Sequence, residues 1–245
     1  MFHQFLGERH GEGKNRFEVT LLDIQELNNR IDREEFDFCK VSSVHALRRR
    51  DCYTVCRAGA SLGFGVGPLL LKRQGAAPLD RNSKVLCPGK GTTATALFKA
   101  FYPQADVIEH VVFSDIMPTL ASDGADYGVV IHEGRFTYQE FGLEMEADLG
   151  SLWEKKHSLP LPLGCIVAHK RLDQSIVESF EQTLRSSISA AYSDRDKAFA
   201  VMQKHAQELK PEAIWAHVDL YVNDWSLDLG VEGQQAFAQL EHMLF

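Results

Sequence analysis

An imidazole, a carboxylate and a guanidinium close the stretch "VVIHEGRFTY", residues 129–138, where His132, Glu133 and Arg135 follow an apolar, β-branched run. The pattern predicts a buried strand that delivers polar groups at its carboxyl end. A histidine with its ordinary pKa of about 6.5 suits general-base chemistry near neutrality. The competing reading is a histidine satisfied by hydrogen bonds at a sheet edge. A zinc site is not expected, because "HEGRF" lacks the second histidine of H-E-x-x-H. A Ser–His nucleophile is not expected either, since no G-x-S-x-G elbow is present. Successive strand residues face opposite ways, so His132 and Glu133 should not share one role. Arg135 can pair with Glu133 or with a ligand carboxylate.

Two other stretches join a strand end to a helix start. "PGKGTTATAL" (88–97) reads as a strand, a glycine-rich turn and a helix opening at Thr92 and Thr93. Its spacing is not that of a phosphate loop. A helix N-terminus still offers free N–H groups to a carboxylate or phosphate, and plain capping by Thr92 is the alternative. "FCKVSS" (38–43) repeats the arrangement, with Lys40, Val41 and then Ser42 at a helix start. "GFGVGP" (63–68) resembles a dinucleotide loop, but its glycines run GxGxG and lead into a strand, so tight backbone at a hinge is the better reading.

The elements that must position these groups alternate between strand and helix, which predicts an α/β class. Strands are expected at 16–24, 36–41, 84–89, around 109–113 and in "YGVVI", with helices after Ile24, at "SSVHALRRR", over 92–102 and near "SDIMPTLASDG". "GVGPLLLKR" (65–73) and "LPLGCIVAHKR" (161–171) look alike, each a buried strand entered through a constrained turn. They read as crossovers between two lobes: 1–69 plus 170–245, and an inserted lobe, 70–169. In open α/β sheets ligands sit beyond the carboxyl ends of strands, so a cleft between the lobes is the expected site. Helices are expected over 175–192, 194–209 and 211–225, with a last one after Gly230; Asp194 and Pro211 stand at cap and first-turn positions. Trp215, Tyr221 and Trp225 read as a core stripe, and His205 and His217 as structural. "CYTVC" (52–56) has helical spacing and reads as packing.

Bulk properties exclude several classes. The 245 residues carry 26 basic and 34 acidic side chains, a net charge of −8, which argues against nucleic acid or anionic membranes as partners. No run of 18 apolar residues is present, so no membrane insertion is expected, and the N-terminus lacks a signal-peptide pattern. Five cysteines, an odd number without a CxxC pair, fit a reduced cytoplasm rather than disulfides or zinc.

Several segments in order, "DIQELN", "KVS", "GFGVGPLL", "PGKGTTA", "IHEGRFTY", "DLGSLWE", "LPLPLG", "HAQEL" and "HVDLYVNDWSLDLGVEG", resemble the 1,4-dihydroxy-6-naphthoate synthase family of the futalosine route to menaquinone. The resemblance implies a type II periplasmic-binding-protein fold, with two α/β lobes and a ligand cleft. It implies a carbon–carbon lyase acting on cyclic dehypoxanthinyl futalosine, a small anionic substrate, with no metal or organic cofactor. The family's proton acceptor matches His132; its substrate-binding positions match Lys40, Val41, Ser42, Thr92 and Thr93. Family members usually begin with a strand and a loop resembling "SPCPNDT", whereas this chain opens at "MFHQFL", similar to the helix that follows. A wrongly chosen start or a truncated, impaired product is therefore expected. A chorismate dehydratase-like sibling, or a non-catalytic binder of small anions on the same fold, are the alternative readings.

Overall fold

Capped amphipathic segments become helices here, and β-branched or leucine-rich runs become strands. The computed structural model describes Phe5 and residues 17–131, 134–203 and 211–245. In chain order the elements are α1 (Ile24–Ile31), β1 (Phe38–Ser42), α2 (Ser43–Arg48), β2 (Tyr53–Val55), β3 (Ser61–Gly63), β4 (Leu69–Lys72) and β5 (Val85–Pro88). Then come α3 (Thr93–Phe101), β6 (Ile108–Val111), α4 (Phe113–Ala121), β7 (Tyr127–Val130), α5 (Gly134–Thr137), β8 (Glu144–Asp148), α6 (Leu149–His157) and β9 (Leu161–His169). The C-terminal part holds α7 (Gln174–Ser193), α8 (Arg195–Met202), α9 (Pro211–Tyr221), α10 (Asp224–Leu227) and α11 (Gly230–Leu244). Two compact units result. The first comprises the described residues of Met1–Val41, Ala46–Leu62 and Gly164–Gln234; the second comprises Ser42–His45, Gly63–Leu163 and Gln235–Phe245.

The first unit is built on a sheet with strand order β1-β9-β2, with β3 also pairing β9. β2 runs antiparallel to β9, Tyr53 opposite His169 and Val55 opposite Val167. Its core is aromatic. Phe38 stacks on Phe180 at 3.9 Å between ring centres, and Phe17 meets Phe180 edge-on at 5.3 Å. Phe5 joins them, with Ile166, Leu184 and Ile188 beneath. The fully buried Ile166, Leu184 and Ile188 each contribute about 1.5–3 kcal/mol by leaving water. Glu181, buried on α7, accepts the Arg57 N–H at 2.6 Å and pairs with Arg185 at 3.0 Å.

Three expectations change here. Phe17–Asp23 forms no strand: Phe17 and Val19 pack onto the aromatic cluster without joining the sheet, and Asp23 caps α1 by accepting the Gln25 N–H at 2.8 Å. "CYTVC" contains the strand β2 rather than a helical turn, in keeping with the sheet preference of Tyr-Thr-Val; Cys56 is buried, Cys52 half-buried, and the five cysteines are free. Trp215, Tyr221 and Trp225 are half-buried rather than core. Asp194 caps α8 through the Lys197 N–H at 3.1 Å, Pro211 opens α9, and Gly230 opens α11. The side chains of His205 and His217, and the helix expected at "MFHQFL" apart from Phe5, lie outside the described residues.

The second unit is built on a sheet with strand order β6-β5-β7-β4-β8. β5 is parallel to β6 and β7, whereas β4 is antiparallel to both β7 and β8. β4 reads Leu69, Leu70, Leu71, all buried, as a strand covered on both faces must. Register aligns one sheet edge: Leu69 stands opposite both Val130 and Asp148. The carboxyl ends of β7 and β8 and the start of β4 therefore coincide, and β5, parallel to β7, ends there too. α4 covers one face through Ile116 and Leu120. Trp153 of α6 is fully buried, its Nε1 donating to the Leu159 carbonyl at 2.9 Å.

At that edge the Pro68 carbonyl accepts the Leu149 N–H at 3.0 Å, and two glycines touch backbone to backbone. A Cβ on Gly67 would lie 2.2 Å from the Gly150 Cα, and a Cβ on Gly150 would lie 2.6 Å from the Gly67 Cα. Neither neighbour is a side chain that can rotate away. Gly67→Ala and Gly150→Ala are each expected to destabilise the protein by about 1–3 kcal/mol through forced separation of β4 and α6. Urea unfolding monitored by Trp fluorescence measures this; an unchanged midpoint in both variants contradicts the contact.

Candidate active site

The coincident strand ends set which groups emerge together in the second unit. β5 runs out at Pro88 into the turn that opens α3. Thr92 is the N-cap: its Oγ1 accepts the Thr95 N–H at 3.2 Å, and the Thr95 hydroxyl donates to the Gly89 carbonyl at 2.9 Å. Thr93 is buried, and its hydroxyl donates to the Leu163 carbonyl at 2.9 Å while accepting the Val44 N–H at 3.4 Å. The Thr92 hydroxyl thus holds the turn, and the Thr93 hydroxyl ties α3 to Leu163 and Val44. Among the described residues the N–H groups of Thr93 and Ala94 have no acceptor, and they are the donors this helix end offers. The Val44 contact ties the start of α2 to α3, which groups Ser42 with the threonine pair; Ser42 itself is buried.

β7 ends at the same edge, and α5 begins at Gly134. His132 and Glu133 lie outside the described residues. Arg135 is described, and among the described residues its partners lie within the second unit. Its guanidinium donates to the Gly67 carbonyl and to Asp148 Oδ2, the latter at 2.9 Å. Arg135 and Asp148 are only 14% and 17% exposed, so the pair is screened little by water. Asp148 Oδ1 also caps α6 by accepting the Ser151 N–H at 3.0 Å. One carboxylate thus joins α5, β4 and α6. Asp148 was not singled out from sequence, although the Asp-x-x-Ser spacing at the head of "DLGSLWE" is a capping signal.

The first unit supplies Lys40 and Val41. Val41 is fully buried on β1. Lys40 is partly shielded as a whole residue, but its ammonium is enclosed. Nζ donates to the Gly59 carbonyl at 3.0 Å and to Ser61 Oγ at 3.1 Å. Burial lowers its pKa from the ordinary lysine value to about 8, opposed by the nearby Cys165 sulfur. Cys165 is no counter-ion near neutrality, because burial pushes its own thiol up to about 12. Among the described residues no carboxylate pairs with Lys40. An enclosed cation held by two neutral oxygens has an unmet demand for negative charge. Ser61 and Gly59 were not foreseen; they lie about twenty residues downstream and carry no motif.

Among the described residues no group of His, Cys, Asp and Glu is placed to hold a metal ion, and no helix is long and apolar enough to cross a membrane.

Comparison with known proteins agrees with this architecture. A crystal structure of an Archaeoglobus fulgidus protein superposes with a TM-score of 0.86 at 29% identity, covering 93% of this chain and 85% of that one. The periplasmic aliphatic sulphonate binding protein of Escherichia coli superposes at 0.59 with 12% identity, covering 89% and 73%, a likeness of fold alone. The fold is accordingly of the periplasmic-binding-protein type. In sequence the chain is 39% identical over 223 residues to "1,4-dihydroxy-6-naphtoate synthase" of Thermus thermophilus, spanning 91% of this chain and 81% of that protein. A family model described as menaquinone biosynthesis matches residues 1–245. With that match running the whole length of the chain, the protein belongs to the menaquinone biosynthesis family.

Proposed function

We propose that this protein is a carbon–carbon lyase that converts cyclic dehypoxanthinyl futalosine into 1,4-dihydroxy-6-naphthoate, with His132 as general base. The identity to a relative bearing that enzyme's name, sustained over most of both chains, carries the reading. The site residues support it chemically. The substrate is an anion with an acidic proton near a carbonyl. A base removes that proton, the sugar-derived fragment leaves, and the ring aromatises. Aromatisation supplies driving force, so the protein has to place the substrate, accept one proton and stabilise negative charge.

In this reading the Lys40 ammonium takes an anionic group of the substrate, with Val41 and Ser42 completing that segment. The N-terminus of α3 offers its Thr93 and Ala94 N–H groups to a second polar group, while the Thr92 and Thr93 hydroxyls keep the turn in place. His132 stands two residues beyond the end of β7. Arg135 acts as a clamp within its unit. The reaction requires neither a metal nor an organic cofactor, and the protein works in the cytoplasm.

Purified protein incubated with cyclic dehypoxanthinyl futalosine is expected to yield the naphthoate, detected by mass spectrometry; unconverted substrate after many enzyme equivalents and long incubation refutes the proposal. His132→Asn is expected to melt and bind substrate as the parent does, yet to lose about 10²–10⁴ in kcat. Near-normal turnover by that variant removes His132 from the mechanism. For Lys40 the sign follows from its lowered pKa: the ammonium is present below about 8 and discharges above it. Thus kcat/KM for the anionic substrate should fall as pH rises through about 8. Lys40→Met should show a raised KM already at pH 7 and no such fall; a wild-type plateau up to pH 10 argues against the assignment.

A further inference from the structure

The segment "VNDWSLDLG" (222–230) has no part in the chemistry above, yet two of its polar side chains, Asn223 and Ser226, reach one neighbour. Asn223 and Ser226 form a capping box on α10: Asn223 Oδ1 accepts the Trp225 N–H at 3.1 Å, and Ser226 Oγ accepts the Asn223 N–H at 3.2 Å. Their remaining hydrogen-bonding capacity reaches back some 160 residues. Ser226 Oγ donates to the Ala60 carbonyl at 2.7 Å, and Asn223 Nδ2 donates to the Leu62 carbonyl at 2.8 Å. The Gly59 N–H donates to the Ser226 carbonyl at 2.8 Å, and the Leu229 N–H to the Arg57 carbonyl at 2.7 Å. Ser226 is fully buried.

The strapped segment is the one that holds Lys40. Gly59 O and Ser61 Oγ accept from its ammonium, and the two carbonyls bonded by α10, of Ala60 and Leu62, alternate with them along the chain. Gly59 has φ +89, and a Cβ there would lie 2.4 Å from Ile166 Cδ1, so this backbone has one conformation to keep. We propose that Asn223 and Ser226 are positioning residues for substrate binding, acting through Ala60 and Leu62 on Gly59 and Ser61, which aim the Lys40 ammonium at the substrate anion. The proposal rests on the reading of Lys40 given above. It makes the capping box part of the binding apparatus although neither residue need touch substrate.

The test combines kinetics with a substrate-free signal. Ser226→Ala and Ser61→Ala are each expected to raise KM for cyclic dehypoxanthinyl futalosine about 3–10-fold with kcat within about twofold, the scale of one lost hydrogen bond. Ser61→Thr, which keeps the hydroxyl, should restore KM. In a Lys40→Met background Ser226→Ala should change KM by less than about twofold, because both changes act through one group. Lysine-selective 15N labelling should show the Lys40 ammonium resonance displaced in Ser226→Ala without any substrate. An equal KM effect with and without Lys40, or an unmoved Lys40 resonance, overturns the proposal. If the parent protein shows no turnover at all, the proposed reaction is what fails, and the resonance alone decides whether α10 positions Lys40. Should Ser226→Ala not fold, Asn223→Asp, which keeps the cap acceptor but loses the donor to the Leu62 carbonyl, decides by the same measurements.

Discussion

Enclosing an ammonium without a carboxylate beside it is costly, and much of the first unit is arranged around Lys40. A paired carboxylate would offset the cost but would also occupy the cation. The chain instead supplies dipoles, the Gly59 carbonyl and the Ser61 hydroxyl, which stabilise the charge without neutralising it. Dipoles are effective only when aimed, so the segment that carries them must be rigid. Gly59 is hemmed in by Ile166 and Leu184, Arg57 is tied to the buried Glu181, and Asn223 and Ser226 of the α10 cap hold the intervening carbonyls. The aromatic cluster of Phe17, Phe38 and Phe180 keeps β1 and α7 packed behind that arrangement.

The second unit reaches a comparable state by a different route. Its mixed sheet brings strand ends and starts to one edge by register, and side chains tie that edge together. Arg135 bonds Asp148 and the Gly67 carbonyl; Thr92 caps α3; Thr93 ties α3 to Leu163 and Val44. What remains at the helix end are backbone N–H groups, neutral donors that bind an anion without carrying charge of their own. Polar side chains that look ready for a ligand in the sequence thus also help to build the frame.

This division explains what was legible beforehand. Strand and helix segments at 84–89, 92–102 and 175–192 follow from apolar periodicity with local caps, and they are present as β5, α3 and α7. The segment before α1 misled, because alternation at Phe17, Val19 and Leu21 describes any chain that buries every second residue, whether or not it joins a sheet. "CYTVC" misled because a spacing of four is shared by a helical turn and a strand face. Lys40 and the threonine pair were visible as strand-end and helix-start residues. Their partners were not: Gly59, Ser61 and Leu163 have no local pattern that names what they bond, and the capping signals at Asp148 and Asn223 say nothing of Arg135 or the Leu62 carbonyl.

Composition, capping residues and apolar periodicity are properties of short windows, and they alone determined the α/β class, the long helices and the candidate groups at strand ends. Family membership too was readable from ordered motifs along the chain. The tertiary structure decided which partners those candidates meet. That choice turns on contacts between residues distant in sequence, such as Gly67 against Gly150 and Ser226 against Ala60, whose geometry exists only after the strands have paired. Hydrogen bonds are short-ranged and directional, so no window of sequence records which donor will meet which acceptor once the chain has folded.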